Sequence, residues 1–137
     1  MLTPAATYEE VVATQSWRIP ETFNIGVDIC DRHAEATPDK PALIVAGPDV
    51  APVTYTFSDI RALSNKLANL LAGNGLQRGD RLGILLSQSV EAAISHIAAW
   101  KLGAISIPLF TLFGEEALSF RLANSGARML VTDVDHY

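Results

Sequence analysis

The sequence predicts an α/β fold: a βαβ-type parallel sheet flanked by helices, with a small β-hairpin ahead of it. Two patterns carry that expectation. From about residue 56 onward, short apolar runs alternate with segments of helical periodicity, as βαβ units require. Before that, the β-branched and aromatic runs "ALIVAG" and "VTYTF" are separated by little more than Gly47-Pro48-Asp49. The length, 137 residues, is that of one domain.

Each element has a local reason. Thr7 followed by Glu10 forms a capping-box pattern, so a short helix is expected before Trp17 and Pro20. A second helix is expected from about Asn24 to Ala36, with Ile25, Ile29 and His33 recurring on one face, ended by "TPDKP" because a residue before proline is pushed out of the α region. The hairpin follows. Thr56 with Asp59 can cap a helix whose Ile60, Leu63, Leu67, Leu70 and Leu71 form an apolar stripe, closed by Gly75 as a left-handed cap. "RLGILLS", residues 81–87, reads as a strand covered on both faces. Ser89 opens a helix with Val90, Ala93, Ile94 and Ile97 inward, stopped at Gly103. "ISIPLF" is a strand, Gly114-Glu115-Glu116 starts a helix with acids in its first turn, and "RMLVTD" is the last strand.

Composition narrows the function. Hydrophobic residues make up 49% and charged ones 18%, with no low-complexity tract. Ten basic residues against fifteen acidic ones leave a net charge of -5, and the basic residues are scattered, which argues against nucleic acid as a partner. Cys30 is the only cysteine, so an internal disulfide and a CxxC metal knuckle are excluded and a reducing compartment fits. The amino terminus lacks a basic stretch followed by an apolar one, unlike a signal peptide. The most apolar window, residues 92–110, is interrupted by His96, Lys101 and Pro108 and falls short of a membrane span. A cytoplasmic protein is expected.

"GNGLQRG", residues 73–79, approaches a dinucleotide fingerprint, but its glycines follow a helix and precede a strand, the reverse of a phosphate cradle, and the GxGxxxG spacing is one residue too long. Gly75 reads as a helix cap and Gly79-Asp80 as the turn into the strand. Ligands of open α/β sheets bind beyond the carboxyl ends of strands. Here those loops are Ser87-Gln88-Ser89, Leu109 to Gly114, and Thr132 to Asp135. None contains a P-loop or a GxSxG elbow, so no catalytic residues are assigned. His33, His96 and His136 have no metal-ligand spacing and are read as structural or surface histidines, with no metal site expected. Cys30 is read as a small buried hydrophobe and Trp100 as core or interface. Glu115 and Glu116 suit a helix dipole better than paired acid-base chemistry.

The segments "TPDKPALIV", "SNKLANLL", "GDRLGILL", "WKLGAISIPLFTLFG" and "RLANSGARMLVTD", in this order, resemble the amino-terminal part of AMP-forming acyl-CoA synthetases, in the acetyl-CoA and medium-chain branch of the adenylate-forming superfamily. The resemblance spans residues 23 to 134. It implies an amino-terminal arm over residues 1–22 and an α/β subdomain over 23–137 that stops before the phosphate loop. It also implies a parent enzyme that uses ATP, Mg2+ and coenzyme A, in which a small carboxylic acid attacks ATP to give an acyl-adenylate and coenzyme A then displaces AMP. The family's phosphate loop and mobile lysine lie downstream of Tyr137. This chain alone is therefore expected to be an inactive scaffold that binds none of these cofactors tightly, docks on the rest of the synthetase, and self-associates through its bare apolar face. By position, Phe110, Thr111, Leu112 and Phe113 resemble the loop bordering the pantetheine channel, with Thr111 and Leu112 where the family has small glycines. A standalone α/β ligand-binding or interaction module is the alternative that fold alone leaves open.

Overall fold

The computed structural model describes residues 4–16, 19–47 and 50–134. Helix α1, Tyr8–Thr14, begins where Thr7 Oγ1 accepts the Glu10 N–H at 3.2 Å. Glu10 reaches back to the Ala6 amide at 3.0 Å. None of the residues of α1 is buried.

Residues 25 and 26 are helical and run into a π-helical segment, Val27–Asp31, continued by α2, Arg32–Ala36. The face shared by Ile25, Ile29 and His33 is exposed, and the buried face is that of Gly26, Cys30 and Ala34. The reason is close approach. A Cβ on Gly26 would lie 2.7 Å from Lys101 Cγ and 2.9 Å from the Ile97 carbonyl, so only glycine fits at that position. His33 instead stacks on Phe57, ring centres 4.8 Å apart.

Strands β1, Pro41–Gly47, and β2, Val50–Thr56, form the antiparallel hairpin. Its turn at Pro48 and Asp49 lies outside the described residues. The second strand starts at Val50 rather than Val53, and Phe57 opens α3, Phe57–Gly73. The capping box is complete: the Asp59 N–H donates to Thr56 Oγ1 at 3.1 Å and the Thr56 N–H to Asp59 Oδ2 at 2.9 Å. These bonds hold the Asp59 carboxyl below its usual pKa. Ile60, Ser64, Ala68 and Leu71 are buried, whereas Leu70, expected on the same stripe, is 62% exposed. At 3.6 residues per turn it lies roughly a third of a turn from the centre of that buried face.

The main sheet has three parallel strands, β3 (Arg81–Leu85), β4 (Ile105–Pro108) and β5 (Met129–Thr132), in the order β4-β3-β5. Strand β3 ends two residues short of the expected 81–87 span. Helix α4, Val90–Lys101, links β3 to β4, and α5, Glu115–Ser125, links β4 to β5. On one face Leu82 and Ile84 pack with Ala68 and Leu71 of α3 and Ala98 and Ala99 of α4. On the other, Gly83 lies under the methyl groups of Leu109, Leu122 and Leu130, which brings α5 to that side. A second cluster, centred on Cys30, Ile60 and Val90, joins the π segment and α3 to the hairpin. Gly75 (φ 93°) and Gly79 (φ 85°) sit in the turn from α3 to β3, a structural use of the glycines of "GNGLQRG".

A buried polar cluster fixes α4 against α3 and the π segment. Lys101 Nζ lies 2.6 Å from Asp31 Oδ1 and donates to Ser64 Oγ at 2.9 Å and Asn65 Oδ1 at 2.7 Å. Asn24 joins the same region, donating to the Lys101 carbonyl at 3.1 Å and accepting from the Val27 N–H at 3.1 Å. Cys30 is buried beside Ser64 and Asp31, and burial pushes its thiol pKa up.

Candidate functional site

At the carboxyl ends of β3 and β4 lies a groove of about 690 Å³. Its floor is Ile84, Pro108 and Leu109. One wall is the start of α4 with Ala92, Ala93 and His96, and the opposite wall is Leu43 to Ala46 of the hairpin. Ser87, Gln88 and Ser89 from the β3–α4 loop and Phe110 and Thr111 from the β4–α5 loop complete the rim. Parallel pairing of β3 with β4 is what brings these two loops to one end of the sheet.

Of the three loops singled out in the sequence, these two meet at the groove. Thr132 and Asp133 do not line it, and Asp135 lies outside the described residues. Within the predicted loop segment, Phe110 and Thr111 face the groove and Leu112 and Phe113 do not. Leu112 is 80% exposed at the loop tip. Phe113 is pinned on its other side: its ring meets Phe110 edge-on at 5.7 Å and the Arg121 guanidinium at 4.0 Å from its centre.

His96 lines the groove although the sequence marked it only as a structural or surface histidine. Its Nδ1 is fully enclosed without a hydrogen-bond partner, and its ring lies 5.6 Å from that of Trp100. Burial holds its pKa below the usual histidine value, so the imidazole is neutral at pH 7. Ser89 Oγ is committed to the helix, accepting the Ala92 N–H at 3.2 Å. Among the described residues no lysine or arginine lines the groove. The site is a largely apolar trough with hydroxyl and amide groups at its rim, suited to holding a flexible chain rather than to compensating phosphate charge. The one signal that could have found His96 is the pair Ala92-Ala93, small residues that open the wall one turn before it.

Comparison with known proteins places this geometry. A family model described as "AMP-binding enzyme" matches residues 30–137. The chain belongs to this AMP-binding enzyme family. Among relatives of known name, it is 31% identical over 117 residues to an acetyl-coenzyme A synthetase of Photobacterium profundum, covering 85% of this chain and 18% of that protein. With the acetyl-coenzyme A synthetase of Xanthobacter autotrophicus the identity is 35% over 111 residues, covering 80% of this chain and 17% of that protein. The crystal structure of an acyl-CoA synthetase from Brucella canis superposes with a TM-score of 0.85 at 31% identity, over 93% of this chain and 25% of that one. The N-terminal subdomain of Klebsiella oxytoca NpsA superposes with a TM-score of 0.71 at 29% identity, over 81% of this chain and 28% of that one. The chain thus spans less than a third of the length of these members of the AMP-binding family and its structural neighbours.

The groups that such enzymes handle fit this site unequally. The trough, with its apolar walls and its Ser87, Gln88 and Thr111 rim, fits a slender amide-bearing arm such as pantetheine. It does not fit a triphosphate with its metal: among the described residues no cationic side chain lines it, and no group of three His, Cys, Asp or Glu able to hold a metal occurs. Among the described residues no helix is long and apolar enough to cross a membrane.

Proposed function

We propose that this chain acts as the amino-terminal subdomain of an AMP-forming acyl-CoA synthetase. In that enzyme a small carboxylic acid reacts with ATP to give an acyl-adenylate, and the thiol of coenzyme A then displaces AMP. The observation that carries the reading is the trough at the carboxyl ends of β3 and β4 on a chain whose family match runs over residues 30–137. Residues 1–22 act as an arm and 23–137 as the subdomain. The subdomain supplies one wall of the channel for the pantetheine arm, with Phe110 and Thr111 on the channel side and Leu112 and Phe113 shaping the loop behind it. Neutral His96 and the Ser87-Gln88 rim offer that arm hydrogen-bonding groups without a charge to desolvate. Phosphate and Mg2+ handling falls to residues elsewhere in the synthetase, and the protein works in the cytoplasm.

The test uses the complete synthetase that contains this sequence. Thr111→Trp should raise the KM for coenzyme A about tenfold or more, as loss of roughly 1.4 kcal/mol of binding would, while acid-dependent ATP–pyrophosphate exchange stays within twofold of the parent. Equal loss in both half-reactions would remove Thr111 from the channel wall, and an unchanged KM would do the same.

A further inference from the structure

The β4–α5 loop, residues 110–113, is anchored at both ends and weakly held between them. Before it, the Leu109 N–H donates to the Ile84 carbonyl of β3 at 2.9 Å, and after it Gly114 starts α5 without a side-chain cap. Inside the loop the Phe113 N–H donates to the Phe110 carbonyl at 3.0 Å. Phe110 and Leu112 are exposed, so burial does little to keep this turn in one shape. Arg121 reaches it from the middle of α5. Its Nη1 donates to the Ala117 carbonyl one turn back at 3.1 Å, which directs the guanidinium toward the amino end of the helix. There it covers the Phe113 ring at 4.0 Å from the ring centre, and Phe113 in turn meets Phe110 edge-on at 5.7 Å. Arg121 forms no ion pair among the described residues, so the ring and that carbonyl are what hold its head group. Phe110, the last side chain in this series, lines the trough, whereas Phe113 and Arg121 do not.

We propose that Arg121 is a positioning residue for the coenzyme A step: through Phe113 it holds Phe110 at the rim of the trough, where the pantetheine arm passes. The inference rests on the channel reading given above. Arg121 acts by keeping the loop in the arrangement that admits the arm, and when that arrangement is only partly populated the apparent affinity falls by the same fraction. The attack of the carboxylic acid on ATP does not use this loop, so the two half-reactions respond differently to its loss.

The test again uses the complete synthetase. Arg121→Ala should raise the KM for coenzyme A about two- to fivefold, the span of an exposed cation–π contact, while kcat at saturating coenzyme A and acid-dependent ATP–pyrophosphate exchange stay within about twofold of the parent. Arg121→Lys, which keeps a cation over the ring, should lie closer to the parent than Arg121→Ala. Phe113→Leu should reproduce the rise in KM, and the double variant should rise no further than either single one, because both break the same link. Thr111→Trp, measured alongside, separates the two readings. If it raises the KM and Arg121→Ala does not, the positioning role is overturned and the channel stands. If Thr111→Trp leaves the KM unchanged, the channel reading fails and this inference fails with it. Equal loss in both half-reactions, or additive effects in the double variant, would also overturn the positioning role and leave Arg121 as a stabiliser of α5.

Discussion

His96 titrates in a position where burial works against its charged form. With a folded pKa held below the ordinary 6.5, the native state binds fewer protons than the unfolded chain between those two values. Stability from this group is therefore complete above about pH 6.5 and declines as pH falls through the window down to the depressed value. His96→Gln should flatten the dependence of the urea midpoint on pH in that window; equal slopes for the two proteins would show that the imidazole is solvated. Gly126 offers a second residue-scale test. It closes α5 with φ 60°, and a Cβ there would lie 2.8 Å from Arg81 Nη2, the group that donates to the Gly126 carbonyl at 2.8 Å. Gly126→Ala combines a left-handed penalty of roughly 1–2 kcal/mol with displacement of that arginine. A fall in urea midpoint is expected, and an unchanged midpoint would mean that the loop relaxes freely. Cys30, buried with its thiol pKa raised, should resist alkylation in the native protein and react only on unfolding.

Between elements, an ion pair ties the π segment to α4. Lys101→Ala would leave the Asp31 carboxylate without its 2.6 Å partner in a largely buried place, a loss of about 3 kcal/mol. Lys101→Met with Asp31→Asn should recover most of that, and chemical denaturation of the two variants distinguishes a buried ion pair from a decorative one. This contact also shows what could and could not be read from the chain. Helix starts were legible because caps are local chemistry: Thr7, Thr56 and Ser89 all accept the amide three residues on. The inward face of the second helix was not, because it is chosen by size. A stripe of isoleucines looks like a core face, but at Gly26 the backbone of α4 comes so near that only glycine fits, and the buried positions that follow it are Cys30 and Ala34. The two loops of the trough followed from the alternation of strands and helices. Its hairpin wall and His96 did not, because they arrive from β1 and from one turn into α4, which only tertiary packing brings together.

For the molecule as a whole, a trough lined by no cationic side chain among the described residues sets an expectation for activity. The 137-residue chain should give no ATP–pyrophosphate exchange with short- or medium-chain acids, because transfer from ATP depends on positioned charges around the phosphates; robust exchange would refute the scaffold role. The order of the sheet, β4-β3-β5, has a further consequence. The middle strand is the one synthesised first, and each later strand attaches to one of its two sides. On a ribosome that releases roughly 5–20 residues per second, β3 can be covered by α3 and α4 before β4 emerges, and no finished pairing need be opened to admit β5. The Arg81 guanidinium, which accepts α5 by donating to the Ser125 carbonyl at 2.8 Å, is then in place as a receptor seconds before its helix exists. The sheet is assembled from its centre outward, in the order in which the message is read.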